Sequence, residues 1–269
     1  MNLSKSELDD LEQKGSLLKK NVLAKNEVDR VKEIILNQPG GKGVEKSHYP
    51  VNFNNFVIKL LKLDFKKIKD GLFLLSIKKR LNLNLISNTI FKDKANLIMI
   101  DGYWNSIEKK DILPWHSDQA YSGNKNVEVI KSPNIFYLKF FFYLTNVGPN
   151  NGCTSYIPCS HKITYAVRSC IFEKKVNYEP FWSLDDLVKF IKKKENYKHI
   201  LEKLSSEEEL NHFFKKADLI LSNPEKSFFD FEASPGDLLI FNDSGVHRGS
   251  MPSLNTRIAL RYLYKKNSF

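Results

Sequence analysis

The sequence predicts a mostly β fold with helical additions, a double-stranded β-helix (jelly roll, cupin-like) packed against N-terminal helices and carrying a helical insertion. Three observations point that way. Apolar residues recur at helical spacing to about residue 94; short β-rich runs separated by turns follow; a second helical stretch at 175–230 interrupts them before the last β-rich runs. Short strands with long excursions suit a double-sheet architecture better than a parallel sheet alternating with helices. The expected organisation is one domain, 1–269, divided into a helical lead-in (1–94), the first half of the jelly roll (95–174), the insertion (175–230) and the last strands (231–269).

Residues 1–37 read as helix, short strand, helix. Ser4 or Ser6 can cap a first helix through Leu8 and Leu11 that Gly15 ends, and Leu17, Leu18, Val22 and Leu23 form an apolar connection. A second helix starting at Asn26 carries Val28, Val31, Ile34 and Ile35 on one face, and Gln38-Pro39-Gly40-Gly41 stops it. Gly40-Gly41-Lys42-Gly43 is a weak phosphate-loop signal, because no apolar strand precedes it. Residues 52–92 cluster apolar side chains at helical spacing. From Ala95 the pattern turns β-rich through Tyr103, and Ile135 to Thr145 is the next such run. Asn151 to Lys162 reads as a turn and a short strand ending in a polar corner. Pro235-Gly236-Asp237 is a turn before Leu238 to Phe241, and Arg257 to Tyr264 is a final alternating strand.

Composition narrows the class. With 269 residues and 42% hydrophobic content, a sizeable core can be buried. No apolar segment follows the charged opening Met1 to Lys20, and Ile135 to Leu144 is too short to span a bilayer, so a soluble cytoplasmic protein without a membrane span is expected. The formal charge of +11 invites a nucleic-acid reading. Only Arg30, Arg80, Arg168, Arg248, Arg257 and Arg261 are arginines, however; the surplus is Lys beside abundant Asn, which reads as solvated faces, and no nucleic-acid partner is expected. Cys153, Cys159 and Cys170 lack the spacing of a zinc site or disulfide framework.

The chemistry concentrates in Pro114-Trp115-His116-Ser117-Asp118-Gln119 and, far downstream, Asp243 to Ser250. At a strand end His116 and Asp118 point the same way while Ser117 faces away, and His247 supplies a second imidazole. Two His and one carboxylate form the set that holds non-heme Fe(II) with open positions. If 2-oxoglutarate occupies two of them, its far carboxylate needs a buried cation, and a guanidinium offers a planar fork. Arg257 and Arg261 share a face of the last strand; Arg257, nearer His247, is favoured and Arg261 is the reserve.

These residues resemble the phytanoyl-CoA dioxygenase family of Fe(II)/2-oxoglutarate oxygenases, which includes ectoine hydroxylase. The likeness runs through Leu11 to Ile35, Trp115 to Asp118, Tyr143 to Val147, Asn151-Gly152, Ile157 to Lys162, and Pro235-Gly236-Asp237 through Arg257, in the family's order. It implies iron on His116, Asp118 and His247, 2-oxoglutarate on Arg257 with a further contact from Lys139, and O2 as the other cosubstrate. The implied reaction is hydroxylation of a C–H bond, in a small-molecule or acyl-type substrate, with release of succinate and CO2. Two positions depart from the pattern: Cys159 stands where Gly is usual, and Gly249, with Ser250 one further on, where Ser is usual. Retention of Asp118 disfavours halogenation.

Other candidates have plainer readings. His48, His199 and His212 read as ordinary surface or core residues, and His161 as part of a corner. Lys139 lies in an apolar strand and must face solvent or meet a carboxylate. Trp104, Trp115, Phe140 and Phe142 read as a pocket lining or as core. The insertion and the loop Tyr121 to Pro133 are expected to cover the site. The alternative function is a catalytically idle binding protein on the same scaffold; the oligomeric state is open.

Overall fold

The computed structural model describes residues 1–37, 46–118, 133 and 136–266. Gly40 to Gly43 and all of the Tyr121–Pro133 loop except Pro133 lie outside the described residues.

The lead-in forms as its caps dictate. Helix α1 (Lys5–Lys14) opens with a reciprocal cap, Glu7 N donating to Ser4 Oγ at 3.2 Å and Ser4 N to the Glu7 carboxylate at 2.8 Å, and closes at Gly15 with φ +81°. After β1 (Ser16–Lys19), α2 (Lys25–Leu36) begins one residue earlier than expected, because the Glu27 carboxylate accepts from Ala24 N at 3.0 Å. Strand β2 (Lys46–Tyr49) precedes α3 (Phe53–Leu61), α4 (Phe65–Arg80) and α5 (Leu83–Phe91). Then come β3 (Ala95–Asn105), β4 (Leu113–His116), β5 (Tyr137–Tyr143) and β6 (Thr154–Tyr156). Helices α6 (Ser160–Phe172), α7 (Leu184–Lys192), α8 (Lys194–Leu201) and α9 (Glu207–Leu221) separate these from β7 (Leu238–Asn242), β8 (His247–Gly249) and β9 (Arg257–Lys266).

All paired strands run antiparallel, in a six-stranded sheet ordered β1-β7-β5-β9-β3-β2 and a three-stranded sheet ordered β4-β8-β6. Strand alternation divides the large sheet cleanly. Leu138, Phe140, Phe142, Leu238, Ile240, Ile258, Leu260, Tyr262 and Tyr264 pack on the lead-in helices through Val31, Ile34, Leu74 and Ile77. The opposite face offers Phe141, Tyr143, Leu239, Phe241 and Ala259 to Tyr156 of the small sheet and to Cys153 just before β6. A third apolar cluster joins α6 to α9.

Two expectations are corrected. Helix outweighs strand among the described residues, so the fold is mixed rather than mostly β. The extra helix includes α6, which lies in the stretch assigned to the first β half and starts where a polar corner was expected. Cys159 turns the chain there at φ +72°, a left-handed conformation that glycine adopts without a Cβ penalty, which accounts for glycine as the usual residue at this position. Phe140 and Phe142 belong to the core beneath the lead-in helices and Trp104 packs at its border, while Trp115 packs against the α6–α9 cluster. No helix among the described residues is long and apolar enough to cross a membrane.

Candidate metal centre

His116 and His247 face each other across the β4–β8 ladder, with ring centroids 4.4 Å apart. Asp118 lies two residues past His116, so its carboxylate returns to the same side. Its Oδ1 is 3.1 Å from His116 Nε2 and its Oδ2 3.6 Å from His247 Nε2; one ligand atom from each of the three residues falls within 4.8 Å of the others. Ser117 points away and fastens the strand end: its Oγ donates to Ser244 O at 2.7 Å and its N to Trp182 O at 3.0 Å.

The tautomers follow from the backbone. His116 Nδ1 lies 2.6 Å from Pro114 O, and His247 Nδ1 lies 2.9 Å from Gly245 O. A carbonyl only accepts, so both Nδ1 atoms carry hydrogen, and Nε2 is the atom each ring turns toward Asp118. Burial, followed by the proximity of His116 and Lys139, pushes His247 down to about 4, so near neutrality its Nε2 is a bare lone pair. An imidazole lone pair aimed at a carboxylate calls for a cation between them, and the donor set suits a borderline metal such as iron. Tyr156 and Phe241 wall in the His247 ring at centroid distances of 6.4 and 5.2 Å, and Trp182 stands 5.2 Å from the His116 ring.

Lys139 takes the carboxylate alternative. It is 7% exposed on the inner face of β5, and its ammonium forms an ion pair with Asp118 Oδ2. Burial works to raise the Asp118 pKa, but Lys139 and the two imidazoles outweigh it and hold the carboxyl well below the usual range.

Arg257 and Arg261 leave the inner face of β9, with Ala259 between them. Arg261 is committed to an ion pair with Asp101, which also accepts from Tyr103 Oη at 3.0 Å and lies 2.9 Å from His48 Nδ1. Arg257 is 6% exposed, and no carboxylate of the described residues pairs with it. Its guanidinium stacks 4.8 Å from the Phe141 ring centroid, its Nε is buried without a hydrogen-bond partner, and burial lowers its pKa. At Gly249 a Cβ would stand only 3.5 Å from Arg257 Nη1, so the departure from Ser leaves room beside the guanidinium. A buried guanidinium beside no carboxylate of the described residues is the partner a carboxylate ligand requires.

The remaining candidates are accounted for structurally. His161 lies 3.1 Å from Glu12 O through Nε2, and Ser160 Oγ accepts from Val246 N at 2.8 Å, so this pair anchors α1 and the approach to His247. His199 and His212 lie 3.8 and 3.6 Å from Glu202 and Glu208 of their own helical segments. Trp182, beside His116, and Asp101, which occupies Arg261, gave no signal in the sequence; each gains meaning only through contacts with distant residues. A cavity of about 840 Å³ between α1, α5 and α6, lined by Leu8, Ile90, Phe136 and Tyr165 among others, contains none of the metal-centre residues.

The family model described as phytanoyl-CoA dioxygenase (PhyH) matches residues 84–257. The chain belongs to the phytanoyl-CoA dioxygenase family. The matched span of this family member runs from α5 to Arg257 and so includes His116, Asp118 and His247 of the candidate centre and Lys139. Curated protein sequences yielded no match. Among solved structures, the chain is similar to HygX from Streptomyces hygroscopicus with nickel and 2-oxoglutarate bound, at 15% identity, covering 100% of this chain and 88% of that one with a TM-score of 0.53. It is also similar to SnoK, a non-heme alpha ketoglutarate dependent carbocyclase from nogalamycin biosynthesis, at 14% identity, 98% and 85% coverage and TM-score 0.54. A third similar structure is the epimerase SnoN in complex with Fe3+, alpha ketoglutarate and nogalamycin RO, at 11% identity, 97% and 83% coverage and TM-score 0.54. At these identities the likeness is one of fold.

Proposed function

We propose that this family member is a non-heme Fe(II)/2-oxoglutarate-dependent dioxygenase. The proposal rests on a double-stranded β-helix, the jelly roll, as the single domain's core, with 1–94 as lead-in and 175–230 as insertion. The observation that carries it is the convergence of His116 Nε2, His247 Nε2 and the Asp118 carboxylate on one point. These three residues would hold iron, and Arg257, buried with an orphaned Nε, would hold the far carboxylate of 2-oxoglutarate. Bound there, iron with 2-oxoglutarate and O2 supplies oxidation of a substrate C–H bond, coupled to formation of succinate and CO2.

The chain's own part is positioning and charge. Pro114 O and Gly245 O fix both rings with Nε2 forward; Phe141 and Tyr143 flank the Arg257 guanidinium and keep water from it. Lys139 balances Asp118 until the site is loaded and then offers a second cation to the cosubstrate. Hydroxylation of a small-molecule or acyl-type substrate is the specific reaction proposed; similar folds described as a carbocyclase and an epimerase mark the other outcomes of the same oxidising centre. The second reading, an idle binding protein, draws on the same ion pair, because Lys139 neutralises Asp118 in the protein alone.

Anaerobic addition of Fe(II) and then 2-oxoglutarate decides between them. The oxygenase reading expects a weak visible charge-transfer band, which the idle scaffold would lack. With O2 admitted, slow succinate release should follow in wild type and fall at least a hundredfold in Asp118→Ala, a loss equivalent to about 3 kcal/mol.

A further inference from the structure

The corner between α3 and α4 carries apolar surface that the described residues leave exposed. Helix α3 has no buried residue, and it rests on α4 through Phe56, whose ring would lie 3.3 Å from a Cβ at Gly71. Its other face and the following turn expose Phe53 at 80%, Leu60 at 52%, Leu61 at 78%, Leu63 at 72% and Phe65 at 60%. Leu60, Leu61, Leu63 and Phe65 fall within six consecutive positions, so the exposed apolar side chains gather at this corner. Leu63 is held at φ +53°. An L-residue in that conformation costs about 1–2 kcal/mol, spent here on turning a leucine into solvent. Contiguous apolar surface of this kind marks a binding face.

The charges around the patch select its occupant. Between Phe53 and Lys69 the chain places Lys59, Lys62, Lys66, Lys67 and Lys69 against the single acid Asp64. Lys62 and Lys69 are exposed, and Asp64 is partly occupied as the α4 cap and by Lys59 at 3.7 Å. A second copy of the chain would bring lysine against lysine. Single-stranded nucleic acid needs flat aromatic platforms, and this patch is chiefly leucine. Exposed apolar side chains with free lysines beside them match an anionic lipid surface, where aliphatic side chains enter the headgroup boundary and ammonium groups meet phosphate.

We propose that the α3–α4 corner is a docking surface for anionic bilayers, with Leu60, Leu61, Leu63 and Phe65 inserted and Lys62 and Lys69 on the headgroups. The protein would lie on the membrane without spanning it.

Flotation of the full chain with equimolar phosphatidylcholine–phosphatidylglycerol vesicles, and with phosphatidylcholine vesicles alone, tests this. Wild type should float with the anionic vesicles and much less with the neutral ones, and added salt should weaken the association. Leu61→Glu/Leu63→Glu should lower partitioning at least tenfold, and Lys62→Gln and Lys69→Gln about fivefold each. Leu63→Gly separates surface from fold: it relieves the backbone and should raise the melting temperature while lowering vesicle binding. Equal binding to both vesicle types, or leucine variants that float like wild type, would overturn the proposal. So would a wild-type dimer in sedimentation that the leucine variants abolish, or oligonucleotide binding that the same variants remove.

Discussion

Arg257 and Arg261 leave the same face of β9 four residues apart and meet opposite surroundings. Around Arg261 the protein supplies its own counterion: Asp101 stands directly across the ladder on β3, further satisfied by Tyr103 and His48. Around Arg257 it supplies ring faces, a missing side chain at Gly249 and no acid among the described residues. A buried charge without a partner costs several kcal/mol, so a chain that keeps one is spending stability at a place where something else completes it. The difference therefore separates scaffold from site on a single strand.

The sharpest way to break this comparison is to truncate each arginine in turn. Arg261→Ala leaves Asp101 buried and short of its cation, and should cost about 3–5 kcal/mol in chemical denaturation. A loss below about 1 kcal/mol would mean that the other partners of Asp101, Tyr103 and His48 among them, suffice. Arg257→Ala should leave the unliganded protein as stable as wild type or more so, while weakening 2-oxoglutarate binding by about a hundredfold in calorimetry with a redox-inert metal present. If Arg257→Ala unfolded the protein as readily as Arg261→Ala, the contrast would collapse. The smallest effect sharpens it: Gly249→Ser places a hydroxyl beside Arg257 Nη1, giving the guanidinium an internal acceptor. It should raise stability by about 0.5–1 kcal/mol and weaken 2-oxoglutarate by a few-fold, the two shifts arising from one hydrogen bond.

Much of this contrast was half-legible in the sequence. Alternation along 257–264 put both arginines on one face, and it held because Ile258, Leu260 and Tyr262 pack on the lead-in helices while Ala259 packs on the small sheet. What alternation could not choose was the arginine, since that choice lies in Asp101, 160 positions away and visible only once β3 and β9 are in register. The convergence of His116, Asp118 and His247 was legible because His116 and Asp118 share a side by spacing and His247 sits in a turn-bounded strand. Lys139 was readable as a dilemma, and contact with Asp118 resolves it. Helix α6 escaped because its start depends on Cys159 in a left-handed conformation and because it buries Ser160, Thr164, Arg168 and Ser169 along with its apolar residues, blurring the apolar period.

Ser117, which fastens β4 to the turn before β8, bridges 127 positions of sequence, whereas Lys139 reaches Asp118 across only 21. On a ribosome the shorter connection is available first. An ion pair still open to water holds weakly, however, and Lys139 is buried against Phe241 of β7, so Asp118 and Lys139 settle together only as the last strands are delivered. The convergence of His116, Asp118 and His247 would thus arise late in synthesis, close to completion of the sheets.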